Sequence, residues 1–493
     1  MNDKTSPSLG KTIRRALIAG SALVPLSAWA AGPNFERPAA PVSTHYDRQA
    51  EERLGDEGDA AAAQHIDLGE KIGGDWWSAL RSAKLDRVMR QAIGGNLDLV
   101  AADATIAQAN ETVAAARGGL RPQVDFGAQG GRQRLEGGAS NFYALGPTVS
   151  FDFDIFGGKK RLVEERAAIT DLQKHHYDAA YLTLTGDVAT QALLLASARA
   201  QIDAVQSLLA DDRKNLDLVE TGHRYGSATQ VDVALARTQF AQDETLLPPL
   251  MQQRDVARHA LSVLASKGPA DWVAPDFDLA DFALPARLPV SLPSDVARDR
   301  PDILAAEAEL HAASAAIGVA TADLYPHLDL SASLGTAGPG IGTLWNIASS
   351  LIAPIFHGGT LKANRRASMD GYRASLAGYQ QTVIRSLGQV ADLLQAINHD
   401  GEEAAAQDRA LHAAEASLRL NQAGYRAGEI AVLQVLDAER AYQRASLGEV
   451  QARTAQYLDT VQLLVALGGN SAGAFEGRTM ALAASTTPLS HTR

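Results

Sequence analysis

Residue types able to do covalent chemistry are present in this chain, but none is arranged in a pattern that completes a site. His175-His176 are adjacent, whereas a helix-borne zinc site wants two imidazoles at i and i+4 around a glutamate. Gly157-Gly158-Lys159-Lys160 has glycines and lysines without the full phosphate-loop spacing, and no serine, histidine and acid grouping presents itself. The 493 residues include no cysteine, which removes thiolate catalysis, disulfides and cysteine-ligated metals together. These absences predict a non-enzyme without cofactor or metal. Carboxylates do recur with a spacing: Asp125, Asp152, Asp154 and Asp329 each fall on the polar side of a segment alternating with period two. Such rows line water and would favour cations modestly.

The elements carrying those carboxylates read as strands. Leu145, Pro147, Val149, Phe151, Phe153 and Ile155 share one face, and Gly146, Thr148, Ser150, Asp152 and Asp154 the other. Val124, Phe126 and Ala128 alternate with Asp125, Gly127 and Gln129, as Leu328, Leu330, Ala332 and Leu334 do with Asp329, Ser331 and Ser333. Residues 345–356 alternate less cleanly. Apolar outside and acidic inside is the pattern of a lipid-facing strand around a wet lumen, and Tyr143, Tyr325, Trp345 and Phe356 sit where an interfacial aromatic belt would. A membrane barrel must close and needs about eight strands or more, so four per chain must be pooled. Three chains would make a barrel of about twelve.

Helices account for most of the rest. Two proline-free stretches, from about Lys159 to Glu220 and from about Thr360 to Asn421, each predict a helix of roughly 90 Å. Such lengths call for coiled-coil-like packing along stripes such as Leu162, Ile169, Leu172 and Leu193, Ile202, Val205, Leu209, Leu216. Each is followed by a glycine-flanked turn, Gly222 to Thr229 and Gly424 to Ile430, and a further helix, to about Ser266 and about Leu467. A helix from Ser294 to about Asp323 precedes the second pair of strands.

The chain says this twice. Leu120-Arg121-Pro122-Gln123-Val124-Asp125 returns as Leu324-Tyr325-Pro326-His327-Leu328-Asp329, and Gly222-His223-Arg224-Tyr225-Gly226 as Gly424-Tyr425-Arg426-Ala427-Gly428, roughly 200 residues apart. The expected organisation is a leader at 1–30, an extended segment at 31–75, a first repeat at 76–267, a proline-rich linker at 268–293, a second repeat at 294–468 and a tail at 469–493. Lys4, Lys11, Arg14 and Arg15, an apolar stretch from Ala16 to Leu26, and Ala28-Trp29-Ala30 mark a secretory signal cleaved after Ala30. No later stretch is an uninterrupted apolar run long enough to span, so a membrane crossing falls to the strands. Apolar content of 46% with only 5% aromatics suits close helix packing through small side chains, and a net charge of −12 argues against nucleic acid.

Ala31-Gly32-Pro33-Asn34-Phe35-Glu36-Arg37-Pro38, Trp76-Trp77, Arg300-Pro301-Asp302-Ile303, Ala306-Glu307-Ala308-Glu309-Leu310 and Leu324-Tyr325-Pro326 together resemble the TolC-like outer-membrane efflux factors, in the NodT and OprM branch. The resemblance covers nearly the whole mature chain. It implies a mainly α protein with membrane β-hairpins: a duplicated unit forming a long helical barrel, continuous in a homotrimer with a twelve-stranded β-barrel. It further implies a passive exit duct in the outer membrane, docked by a periplasmic adaptor and powered by an inner-membrane RND-type pump. The turns at Gly222, Gly226, Gly424 and Gly428 would be the adaptor-facing end, and Asp232, Tyr425 and Asp437 match gate positions there. Ile430 stands where some relatives have arginine, Gln434 where a second acid would be, and Trp29 where the branch carries a lipidated cysteine, so no lipid anchor is expected. The rival reading is a structural periplasmic coiled coil or adhesin, which would explain the helices but not the paired hairpins.

Overall fold

A computed structural model describes residues 31–55, 64–73, 75–135, 138–338 and 343–468. The leader at 1–30, with its cleavage site and Trp29, and the tail at 469–493 lie outside the described residues. In chain order the elements are α1 (Arg48–Gly55), β1 (His65–Leu68), α2 (Ala83–Gly95), α3 (Leu97–Gly118), β2 (Gln123–Leu135), β3 (Gly138–Phe153), α4 (Gly158–Arg224), α5 (Gln230–Glu244), α6 (Leu247–Leu264), β4 (Arg287–Val290), α7 (Pro293–Asp299), α8 (Pro301–Ala322), β5 (His327–Gly338), β6 (Thr343–Ile352), α9 (Thr360–Ala427) and α10 (Val432–Ala466). Short 3-10 turns lie at Trp76–Leu80 and Leu279–Asp281. The long helices reach 67 and 68 residues, a contour of about 100 Å each.

The chain divides into two compact units. Among the described residues the first comprises 31–36, 111–168 and 311–374 and holds a four-stranded antiparallel sheet in the order β2-β3-β5-β6. Both expected hairpins are present, and β3 pairs with β5, so the two copies contribute adjacent halves of one sheet. Arg161, buried at the start of α4, fastens residues 31–36 in this unit. Its guanidinium donates to the Ala31 carbonyl at 3.2 Å and Asn34 Oδ1 at 2.7 Å and pairs with Glu164, which also meets His311. Phe35 stacks on that histidine at 4.4 Å. Gly32 (φ +87°) lies so close to Gly318 that a Cβ would sit 2.6 Å from its Cα, so side chains are excluded there.

Among the described residues the second unit comprises 37–110, 169–310 and 375–468. Its main core gathers Trp76, Trp77, Tyr177, Leu193, Leu261, Phe277, Leu288, Ile303, Leu394 and Leu463, among others. Two smaller clusters lie along the helices: Ile202, Val205 and Leu250 in one, and Val219, Val233, Ala236, Val432 and Leu436 in the other. Of the expected α4 stripe, Leu193, Ile202 and Val205 are buried, while Leu162, Ile169 and Leu172 remain half-buried. β1 and β4 pair in parallel, joining the N-terminal extended segment to the proline-rich linker.

Two expected helices are each split. The helix expected from the first turn to Ser266 breaks at Thr245-Leu246, because Pro248 and Pro249 follow at the start of α6, where they can open a helix but not continue one. The helix expected from Ser294 to Asp323 breaks at Arg300, which is extended (φ −78°, ψ 125°) as a residue before proline must be, and Pro301 opens α8. The break is tied down: Arg300 donates to Ala466 O and Gln389 Oε1, each at 2.7 Å, and to Asp302 Oδ1 at 2.9 Å. The Arg-Pro-Asp run thus joins the α7–α8 corner to α9 and α10. Among the described residues α8 is the one helix long and apolar enough to cross a membrane, and more than half of it is buried inside the chain.

Candidate functional site

In an antiparallel sheet, residues directly opposite one another share a face, so the register reads off what each side presents. One face carries the row Val124–Val149–Ala332–Ile347 and the row Phe153–Leu328–Leu351. Much of this face is open, with Val124 69% exposed, Ile347 68% and Trp345, farther along it, 74%, while Leu328 and Ala332 are half-buried. The other face carries Asp125–Thr148–Ser333–Asn346 and Asp152–Asp329–Ser350. The β6 strand alternates poorly because Ser349 falls on the apolar side and Leu344 and Ile352 on the polar side. Aromatics gather at two levels, Tyr143 and Trp345 toward the hairpin ends and Phe156 stacked on Tyr325 at 4.6 Å where the helices begin.

The expected lumen carboxylates separate into two kinds. Asp125, Asp152 and Asp329 lie on the polar face, with Asp152 and Asp329 directly opposed and Lys159 Nζ 3.1 Å from Asp152. Asp154 does not belong with them. β3 ends at Phe153, and both Asp154 oxygens accept backbone N–H groups from the first turn of α4, Lys159 at 3.0 Å and Lys160 at 2.9 Å. It caps the helix instead, since the first four N–H groups of a helix have no partner of their own.

The two turns are built alike. Gly226 (φ +80°) and Gly428 (φ +76°) take the left-handed conformation that ends a helix. Ser227 N–H reaches Gly222 O and Gly226 N–H reaches His223 O; Glu429 N–H reaches Gly424 O and Gly428 N–H reaches Tyr425 O. Gly222 and Gly424 therefore lie inside the last helical turn, not in the loop, contrary to the sequence expectation. A Cβ on Gly222 would stand a tight 3.0 Å from the Ser227 hydroxyl, whereas one on Gly424 would meet Ile430 at an ordinary 3.4 Å.

The three gate candidates have distinct surroundings. Asp232 closes a capping box at the start of α5: its carboxylate accepts Thr229 N–H at 2.8 Å, and the Thr229 hydroxyl accepts Asp232 N–H at 3.2 Å. The Thr229 backbone hydrogen bond, then the hydroxyl, holds its pKa below the ordinary carboxylate value. Tyr425 packs against the Val219, Val233 and Leu436 cluster, and burial, then the nearby Asp232, raises its phenol. Asp437 is exposed and pairs with Arg440 at 3.2 Å. Asp232 and Tyr425 are thus brought together, and Asp437 stands apart on α10. Among the buried acids that escaped the sequence reading are Asp212, Asp243 and Glu439. The signal was there: Asp212 interrupts the 4-3 spacing of Val205, Leu209, Leu216 and Val219 at a seam position. Among the described residues no cluster of His, Cys, Asp and Glu could hold a metal ion.

The outer membrane efflux protein family model matches residues 88–266 and again 292–469, one match on each copy of the duplicated unit. The pyoverdine export outer membrane protein OpmQ of Pseudomonas aeruginosa is 30% identical over 414 residues, 80% of this chain and 87% of that protein. The solvent efflux pump outer membrane protein SrpC of Pseudomonas putida is 28% identical over 459 residues, 89% of this chain and 94% of its own. The solved outer-membrane channel OprN superposes with a TM-score of 0.81 at 25% identity, covering 89% of this chain and 99% of that one. The open-state MtrE outer membrane channel of Neisseria gonorrhoeae gives 0.76 at 25%, with 89% and 98% covered. An exposed amphipathic sheet, two long helical hairpins and a family model matched twice converge on one conclusion: this chain belongs to the outer membrane efflux protein family, the outer-membrane channels of efflux systems.

Proposed function

We propose that the chain is one third of a homotrimeric exit duct that passively carries substrates from an inner-membrane pump and a periplasmic adaptor across the outer membrane. One observation carries this reading. The four-stranded sheet leaves most of its apolar face open and both edges, β2 and β6, without a partner among the described strands. Unpaired strand edges cannot rest in lipid, where each open N–H and C=O costs several kcal/mol, and strands of 10 to 16 residues match or exceed the roughly 9–11 needed to cross. Two further copies would close the sheet into twelve strands, with Asp125, Asp152 and Asp329 toward water and the apolar rows toward outer-membrane lipid.

In this reading each structural repeat, 76–267 and 294–468, supplies one hairpin and one helical pair. The turns after α4 and α9 form the adaptor-facing end, with Gly226 and Gly428 as turn residues and Asp232, Tyr425 and Asp437 as the gate. The pump is of the RND type or similar. The OpmQ and SrpC names attach export of pyoverdine and of solvents to those relatives; the cargo here depends on a pump this sequence does not contain. The protein purified in detergent is expected to migrate as a heat-resistant trimer and to conduct ions in planar bilayers. Its intact mass is expected to begin at Ala31 and to carry no lipid. A water-soluble monomer without conductance would sink the duct and leave the structural rod.

A further inference from the structure

Three seams of the helical unit lose their apolar character at the same level. On α4 the run Val205, Leu209, Asp212, Leu216, Val219 holds an acid in its middle. On α5 Gln239 and Asp243 follow Val233 and Ala236, and on α10 Glu439 follows Val432 and Leu436. Asp212, Asp243 and Glu439 are 4%, 4% and 2% exposed. They lie between the Val219 cluster and the Ile202 cluster, so apolar packing closes the helices on both sides of a carboxylate layer.

The hydrogen bonds of this layer are unevenly shared. Asp243 accepts Gln239 Nε2 at 2.6 Å and Gln443 Nε2 at 3.3 Å, and the Asn215 amide donates to Glu439 Oε1. Asp212 has no donor on either oxygen among the described residues, and Glu439 Oε2 has none. Asp212 instead faces Asp243, acceptor against acceptor. Two carboxylates in that position form a hydrogen bond only when one of them holds a proton; with both ionised the contact is repulsive and buried. The charged groups around them do not relieve this. Asp211 lies beside Asp212 on α4 and adds negative charge; Arg213 lies over the Phe240 ring; Arg440 of α10 is bound to Gln239 and Asp437; and Gln422 is the polar neighbour from α9.

We propose that this layer is a proton-operated latch: one proton held between Asp212 and Asp243 keeps α4, α5 and α10 closed on one another, and its loss opens their packing from within the chain. Asp212, which has no amide donor of its own, carries the proton, while Asp243 accepts from Gln239 and Gln443. Burial, then Asp243, pushes Asp212 up to about 8, and burial pushes Glu439 up to about 7. A carboxyl raised on folding binds its proton more tightly closed than open. The closed state is therefore fully favoured at acid pH and loses that advantage as pH rises through the raised value, with a tenfold change in the opening constant per pH unit for each proton released.

Hydrogen exchange on the full mature chain in detergent tests this, using peptides from 205–220, 236–250 and 432–447. After correction for intrinsic exchange, the opening constant is expected to rise at least tenfold per pH unit between about pH 5.5 and 7.5, more steeply where Glu439 also releases its proton, while peptides around Leu193 stay flat. Asp212→Asn donates to Asp243 at any pH, so its slope should fall by about tenfold per pH unit, to what Glu439 alone leaves. Asp243→Asn removes the same shared proton and should do likewise, which keeps the test alive if one variant folds poorly. A flat wild-type profile would overturn the latch, as would a wild-type slope in either variant, or failure of both variants to fold at pH 6. Because the readout is exchange and not transport, it stands or fails separately from the duct.

Discussion

The turns that close the two helical hairpins occupy the same place in the two copies, and they agree in backbone but differ in side chains. Both end the long helix with a left-handed glycine and the same pair of hydrogen bonds, six residues to one and five to two. The helix that follows starts differently. In the first copy Thr229 and Asp232 cap each other reciprocally. In the second, Gln434 reaches back to Ala431 N–H at 3.2 Å, and alanine has no side-chain acceptor to return the bond. Beyond the cap, α5 stops after 15 residues where α10 runs for 35. Duplication has kept the device that reverses the chain, which only backbone geometry can provide. The caps and helix lengths, where several residues serve, have diverged.

Substitution at the shared glycines should have the largest effect. Gly226→Ala and Gly428→Ala each place a Cβ in a left-handed residue and should destabilise the local hairpin by about 1–2 kcal/mol. The two losses should be similar, measured as lost exchange protection in 216–236 and 418–438; unequal losses would mean that the turns share less than their backbones suggest. A smaller effect sharpens the difference. Thr229→Ala should cost about 1 kcal/mol, and Ala431→Thr should recover a comparable amount in the second copy. The reverse order would show the caps to be irrelevant.

The smallest effect is a pH dependence on one side only. The carboxyl of Asp232 is held below its ordinary value of 3.8, so its stabilising bond is complete above that value and is lost as pH falls through the lowered one. The α5 start should therefore loosen below about pH 4 while the α10 start, capped by the neutral Gln434, does not. Acid acts oppositely on the carboxylate layer farther along the same helices, so the two responses separate by peptide.

Much of this was legible in the residues. Period-two alternation identified both hairpins and the face of Asp125, Asp152 and Asp329, because a strand's side chains alternate by covalent geometry alone. The long helices followed from proline-free stretches, each running a few residues past the expected end, to within one or two positions of the turn glycine. The misreadings share a cause. Asp154 looked like one more member of an alternating strand, and its use as a cap depended on where the strand stopped. The breaks at Thr245 and Arg300 were written in Pro248-Pro249 and Pro301, residues whose effect is local.

By itself, the sequence determined local conformation: the period of each segment, the reversal at each turn glycine and the doubling of the whole pattern. Those properties depend on φ and ψ preferences and on side-chain order along the chain. Only the tertiary structure decided which copy's strand lies beside which, that Arg300 clasps the end of α10, and that Asp212 meets Asp243 with no donor between them. These depend on distances between residues far apart in sequence, and the chain order contains no term for them. A buried acid and a solvated acid are spelled with the same letter, and packing alone tells them apart.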